Sequence, residues 1–204
     1  MNVYLIRHGK SEDAESGLSQ RKEAGLSSLG KSDVLSLKTE FNKIPFDKIY
    51  YSPWNRAKDT AKLLFDDKKV PSEEISYLHE YKKPSHLEGQ DRSITEKYWN
   101  DNLDNIFKPD WKPEDGESFN DILRRVGKLR NLILQHKENE IIGVVSHGIA
   151  FRHLIGSWLM GKEYDQSIYS NLLRHIHLDN LGYILIDVNK DKNTISIRRW
   201  HNWF

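Results

Sequence analysis

The sequence predicts an α/β fold: a three-layer sandwich with a mostly parallel sheet, an antiparallel edge and helices on both faces. Three observations lead there. Residues 3–6 and 141–145 are short, continuously apolar runs, the pattern of strands buried on both faces. Apolar residues at helical spacing follow the strand-like runs, an alternation that builds parallel sheets. Near the end, residues 181–188 and 194–200 flank the turn-rich Asn189-Lys190-Asp191-Lys192-Asn193, which reads as an antiparallel hairpin.

Taken in order, residues 3–6 are in part β-branched or aromatic and stop abruptly at Arg7-His8-Gly9, a strand running into a loop. After a polar loop, Val34, Leu37 and Phe41 recur at helical spacing within 29–41. Residues 46–51 read as a second strand, closed by Ser52-Pro53. Pro53 suits the first helical position with Ser52 as cap, Ala57, Ala61, Leu64 and Phe65 make one apolar face, and Arg56 lies in the first turn. Residues 79–117 are rich in His, Trp, Asp, Lys and Pro with little periodicity, and read as an insertion over one end of the sheet. A long helix starts at Ser118, with Asp121 completing a weakened capping box and Phe119, Ile122, Val126, Leu129 and Leu132 on its buried side. The run 141–145 ends in Ser146-His147-Gly148 and leads into a helix with Ala150, Leu154 and Trp158 inward and Gly161 as terminator.

At 204 residues, the chain is expected to form one domain, 1–204, carrying the insertion at about 79–117. Lys and Arg number 31 against 30 Asp and Glu, a net charge of +1, which argues against a dedicated nucleic-acid or polybasic membrane binder. Cysteine is absent, which excludes disulfides, thiol catalysis and cysteine metal sites and fits a cytoplasmic location. The apolar run at the start is too short for a secretion signal, and none approaches the ~18 residues of a membrane span.

In sheets of this kind ligands sit outside the carboxyl ends of the strands, where His8 and His147 fall. If the sheet is wound as argued, Arg7, His8, Arg56 and His147-Gly148 converge at one edge. Two guanidiniums and two imidazoles suit a phosphoryl group. Arginine presents a planar, permanently charged fork that matches phosphate oxygens in pairs. A neutral imidazole can attack phosphorus with one nitrogen while a hydrogen bond holds the other. The helix opening at Gly148 would add backbone donors for the same anion.

Leu5-Ile6-Arg7-His8-Gly9-Lys10-Ser11 resembles the signature of the histidine phosphatase superfamily, also called the phosphoglycerate mutase-like family. Leu26-Ser27-Ser28-Leu29-Gly30 resembles the family's leucine-threonine-x-x-glycine helix start. Tyr51-Ser52-Pro53-Trp54-Asn55-Arg56-Ala57 with Thr60-Ala61 resembles its serine-proline-x-x-arginine-alanine-x-x-threonine-alanine block. Leu78-His79-Glu80, Gly116-Glu117-Ser118 and Val144-Val145-Ser146-His147-Gly148 complete the family order over nearly the whole chain. The resemblance implies that His8 becomes phosphorylated, that Arg7 and Arg56 hold the phosphoryl oxygens, that His147 stabilises the transferring group and that Glu80 protonates the leaving oxygen and then activates water. It implies no metal and no cofactor. The function it implies is a phosphomonoesterase acting on a small phosphorylated metabolite through a phosphohistidine. The alternatives are mutase-type phosphoryl transfer, a protein phosphohistidine phosphatase and a non-catalytic phospholigand-binding module.

The sequence departs from the family pattern in places. Family members often carry asparagine where Ala14 stands, so that a phosphate contact falls to Ser11 or to the loop ending at Gly25. Glu80 is followed by Tyr81-Lys82-Lys83-Pro84, unlike the true mutases, and Glu88-Gly89, an acidic-glycine pair, sits slightly too far along. Tyr81, Lys82, Lys83, His86, Arg92, Tyr98, Trp99 and Trp111 mix cationic and aromatic character in the insertion, suiting either an anionic, ring-bearing substrate or a solvated lid. His175-x-His177 would put two imidazoles on one strand face, but no third metal ligand has convincing spacing, and His153 reads as a core histidine. The aromatic tail Trp200-His201-Asn202-Trp203-Phe204 either packs on the sheet edge or forms a homodimer contact.

Overall fold

The computed structural model describes all residues except 68, 107, 176, 203 and 204, and of residues 172–175 it describes the backbone alone. Its elements in chain order are β1 (Asn2–Arg7), α1 (Glu12–Glu15), α2 (Ser28–Phe41), β2 (Lys48–Tyr51), α3 (Asn55–Phe65), β3 (Ser72–Glu74), α4 (Arg92–Asp101), α5 (Leu103–Ile106), α6 (Phe119–Leu134), β4 (Ile141–Ser146), α7 (Gly148–Met160), α8 (Gln166–His175), β5 (Tyr183–Asn189) and β6 (Thr194–His201). The six strands form one sheet in the order β3-β2-β4-β1-β5-β6. β3, β2, β4 and β1 run parallel, and β5 and β6 add the antiparallel edge.

Both faces of the sheet are covered. On one, Val3, Leu5, Ile142 and Val144 pack against Ile122, Val126 and Leu129 of α6 and Phe151 and Leu154 of α7. On the other, Ile6, Ile49 and Val145 pack against Val34, Leu37 and Phe41 of α2 and Ala57, Ala61 and Leu64 of α3. This double burial is why β1 and β4 are continuously apolar rather than alternating. The three-layer sandwich expected from the sequence is the fold observed. Parallel pairing of β1 with β4 sets Arg7 opposite Ser146, so the residues that follow, His8 and His147, leave the sheet side by side.

Local chemistry accounts for the helix ends. Ser118 Oγ accepts from Asp121 N and Ser118 N donates to the Asp121 carboxylate, a complete capping box on α6. Ser27 Oγ accepts from Gly30 N and starts α2. Gly30 itself is required, since a Cβ there would lie 2.1 Å from the Lys10 carbonyl oxygen. Gly161 ends α7 at φ +57°, a conformation that favours glycine.

Several expectations need correction. Ser52 does not cap α3: Trp54 stays extended, the helix begins at Asn55, and the Ser52 hydroxyl accepts from Trp54 N and bonds His147 instead. Within 79–117 stands the ten-residue helix α4, which buries no residue and therefore carries no apolar stripe for a sequence to display. The strand face proposed for His175-x-His177 is wrong, because α8 continues helical to His175. Asp165 Oδ1 accepts from Ile168 N at its start, and positions 168, 169, 172 and 173 carry apolar residues at helical spacing, signals stronger than two alternating histidines. On α6, Ile133 is fully buried and Leu132 only borders the core. β2 and β5 begin two residues later than expected; Leu181, ahead of β5, takes φ +62°. β3 is exposed at all three positions and left no hydrophobic signal. Among the described residues, no helix is long and apolar enough to cross a membrane.

Candidate active site

His8 is fixed by its backbone before its side chain does anything. Its N–H donates to Ser146 O at 3.0 Å, and its carbonyl accepts from Leu181 N at 3.2 Å and Asn180 Nδ2 at 3.0 Å. Gly9 N donates to Thr60 Oγ1, which in turn donates to Arg56 O, so the loop after β1 is tied to the first turn of α3. The imidazole is 1% exposed. Its Nδ1 bonds the Gly9 carbonyl at 2.7 Å and so carries the proton, leaving the Nε2 lone pair to accept from Arg56 Nε at 3.1 Å. Burial, then the charges of Arg56 and Arg7, push the His8 pKa well below its ordinary value. The ring is neutral at pH 7, with the lone pair a nucleophile needs.

His147, the N-cap of α7, lies beside it with ring centroids 5.0 Å apart. It shares a 2.8 Å hydrogen bond through Nε2 with Ser52 Oγ, while its buried Nδ1 has no partner among the described residues. Burial, reinforced by the Arg56 charge, lowers its pKa well below the ordinary value.

The two guanidiniums expected from the sequence are both there. Arg56 is 1% exposed, packs over the Trp54 ring at 4.8 Å and donates Nη1 to Arg21 O. Burial brings its pKa down to about 10, which leaves it charged. Arg7 donates Nη1 to Leu178 O, and its buried Nε has no partner among the described residues. Such a concentration of buried positive charge calls for an anion.

Glu80 reaches the same cavity. Its carboxylate accepts from Tyr81 N at 2.9 Å and from Ile149 and Ala150 N at 3.1 Å, so it caps α7 and takes two of the backbone donors that the sequence reading assigned to the phosphoryl anion. Glu117 and Arg125 hold the segment that carries it. Both are under 10% exposed, and they meet in a paired 2.9 Å contact. Arg125 also donates to the Tyr77 and His79 carbonyls, and Glu117 accepts from Lys82 N.

A cavity of about 670 Å³ is lined by Arg7, Arg56, Glu80 and Gly148, while His8 and His147 are not in its lining. Of the cationic and aromatic residues singled out in the insertion, Tyr81, Lys83, Arg92, Trp99 and Trp111 line it. Lys82, His86 and Tyr98 are not in that lining, and His86 pairs with Glu114 at 2.9 Å. Burial brings Lys83 down to about 8, and its Nζ donates to Gln20 O. Ser11 is fully buried, caps α1 through Ala14 N and does not line the cavity. His153 is a core residue, 2% exposed and hydrogen-bonded to Tyr164 OH. Among the described residues, no three His, Asp or Glu side chains cluster as a metal would require.

Asn180, Ser52, the Glu117–Arg125 pair and Arg152 were not assigned site roles from the sequence. Glu117 falls in the block Gly116-Glu117-Ser118, its only signal in the sequence. Asn180 and Arg152 carried none.

Neutral, buried imidazoles at the carboxyl ends of adjacent parallel strands, flanked by buried guanidiniums, make up an anion site suited to a phosphoryl group. The chain belongs to the histidine phosphatase superfamily (branch 1), whose model matches residues 3–202. It is similar to the adenosylcobalamin/alpha-ribazole phosphatase of Escherichia coli, 25% identical with 97% of this chain and 95% of that protein covered. It is also similar to a candidate phosphoserine phosphatase of Hydrogenobacter thermophilus, 30% identical over 95% of this chain and 92% of that one. The solved structure of YhfR from Bacillus stearothermophilus superposes with a TM-score of 0.83 at 20% identity, covering 100% of this chain and 98% of that one, and shares the fold.

Proposed function

We propose that the protein is a phosphomonoesterase that hydrolyses a small phosphorylated metabolite in two steps through a phosphohistidine on His8. In the first step the Nε2 lone pair of His8 attacks phosphorus as the ester P–O bond breaks. Glu80 gives its proton to the leaving oxygen, since an alkoxide departs poorly without one. In the second step the Glu80 carboxylate takes a proton from water, whose oxygen displaces His8 from phosphorus and yields inorganic phosphate. Arg56, now bonded to the attacking nitrogen, turns its donors to the phosphoryl oxygens beside Arg7, and His147 offers Nδ1 to the same group. Gly148 contributes the open face at the mouth of α7. The reading takes the chain as one domain in which residues 79–117 cover the site. It includes a cytoplasmic location and no nucleic-acid partner, for which the near-zero charge is the support. β6 is an edge strand with Ile197 exposed, which supports a homodimer contact there.

The observation that carries the reading is the His8 imidazole, buried, neutral and locked through Nδ1 with Nε2 turned to a guanidinium. Rapid quenching during turnover of a labelled phosphomonoester should trap acid-labile, alkali-stable label on His8, and His8→Ala should remove both label and turnover while keeping the fold. Label on any other residue refutes it.

A further inference from the structure

Arg152 is a third guanidinium at this site, one turn into α7, and no sequence signal marked it. A Cβ built on Gly148 would lie 3.4 Å from Arg152 Nη2 and 3.5 Å from Arg7 Nε, so the two arginines flank the same open glycine. Arg152 makes no hydrogen bond or ion pair with a described residue, and its Nε is buried without a partner. Thr95 Oγ1, on α4 in the same cavity lining, is buried and has no partner among the described residues either. Unsatisfied buried donors are costly, and their clustering in one cavity marks groups meant for a ligand.

Arg152 lines the cavity beside Arg7 at Gly148, and its charge also bears on His153, Tyr164 and Tyr169. Trp99, Trp111, Phe119 and Tyr169 supply aromatic surface to the same cavity. Five cationic side chains and two carboxylates line the cavity. In the substrate-bound state Glu80 carries the proton it gives up, so Glu96 is the remaining carboxylate charge, and a phosphomonoester dianion neutralises two of the four surplus charges and leaves two. At about 670 Å³ the space is that of a ligand much larger than phosphate, within the usual range of roughly 300–1,000 Å³.

We propose that Arg152 is a specificity-determining residue that binds a carboxylate on the substrate's leaving alcohol, with the aromatic wall covering the body of the alcohol between that carboxylate and the phosphate. The proposal rests on the reading of His8 with Arg7 and Arg56 as the phosphoryl site. Arginine suits the task because its fork pairs both oxygens of a carboxylate at once.

The test uses the 2-, 3- and 4-carboxyphenyl phosphates against their carbamoyl counterparts, which match them in size without the charge. At least one carboxylate should exceed its amide in kcat/KM by about tenfold or more, the worth of a charge-assisted pair. In Arg152→Gln that preference should collapse to about one, and Arg152→Lys should restore part of it. Equal loss for acid and amide overturns the proposal, as expected of a phosphoryl ligand or of mere packing. So does the absence of any preference in the wild type. If Arg152→Gln fails to fold, inhibition of the wild type decides: benzoate should compete better than benzamide, and the reverse overturns the assignment. A wild type that hydrolyses none of the set, acid or amide, sinks the phosphatase reading itself rather than the role of Arg152 alone.

Discussion

Glu117→Gln tests how the site holds Glu80, the proposed acid. Glu117 is 8% exposed and Arg125 6%, and both carboxylate oxygens are engaged by the guanidinium at 2.9 Å, with Lys82 N as a third donor. Removing one partner of a buried pair leaves an uncompensated charge and costs about 3–5 kcal/mol. Glutamine keeps one carbonyl acceptor but turns an amide N–H₂ toward Arg125 in either orientation, and toward Lys82 N as well in one of them; because the acceptor and the neutral amide limit the loss, the lower end, about 3 kcal/mol, applies. That is a large part of a total stability on the order of 5–15 kcal/mol. With a urea m-value of about 3 kcal/mol/M, the unfolding midpoint should fall by about 1 M, read by tryptophan fluorescence. The same bonds fix the carbonyls of residues 77 and 79 and the amide of 82, on either side of Glu80. The variant should therefore lose kcat on an alkyl phosphate more than on nitrophenyl phosphate, whose leaving group needs no acid. A midpoint shift below about 0.3 M with unchanged m, and equal kcat changes on the two substrates, would refute the argument that this pair positions the acid.

Glu80→Gln should slow alkyl phosphate hydrolysis by about 10²–10⁴-fold and nitrophenyl phosphate far less; equal losses, or a selective loss in Glu88→Gln instead, would move the acid elsewhere. Turnover should survive exhaustive EDTA, because two guanidiniums supply the charge that a metal supplies elsewhere; loss reversed by a divalent ion would contradict the mechanism. His8, His147 and His153 are all buried with pKa values far below 6.5, mainly through burial. Below about pH 6.5 the unfolded chain therefore binds protons that the fold refuses, and stability should fall with falling pH at about 1 kcal/mol per pH unit for each histidine until the folded values are reached. Urea midpoints measured from pH 7.5 to 5 check this, and a flat profile would contradict the neutral, buried assignment.

The parts of the fold legible in the sequence were those with a local cause. β1 and β4 showed as apolar runs because both of their faces are covered, and α3 and α6 showed as apolar stripes because one face of each meets the sheet. His8 and His147 followed from position alone, each being the residue or two after such a run, and Arg56 followed from the turn that opens α3. α4 had no buried face to write into the sequence, and β3 was three exposed residues. The hydrogen bonds that make the site work join residues far apart in the chain: Arg56 to His8 across 48 positions, Glu80 to Ala150 across 70, His147 to Ser52 across 95 and Asn180 to His8 across 172. No period or motif spacing encodes such distances. They are decided by the order β2-β4-β1-β5, which brings the loops after β1, β2 and β4 and the approach to β5 to one edge, where Ser52 serves a histidine instead of capping its helix and Glu80 caps a helix 70 residues downstream.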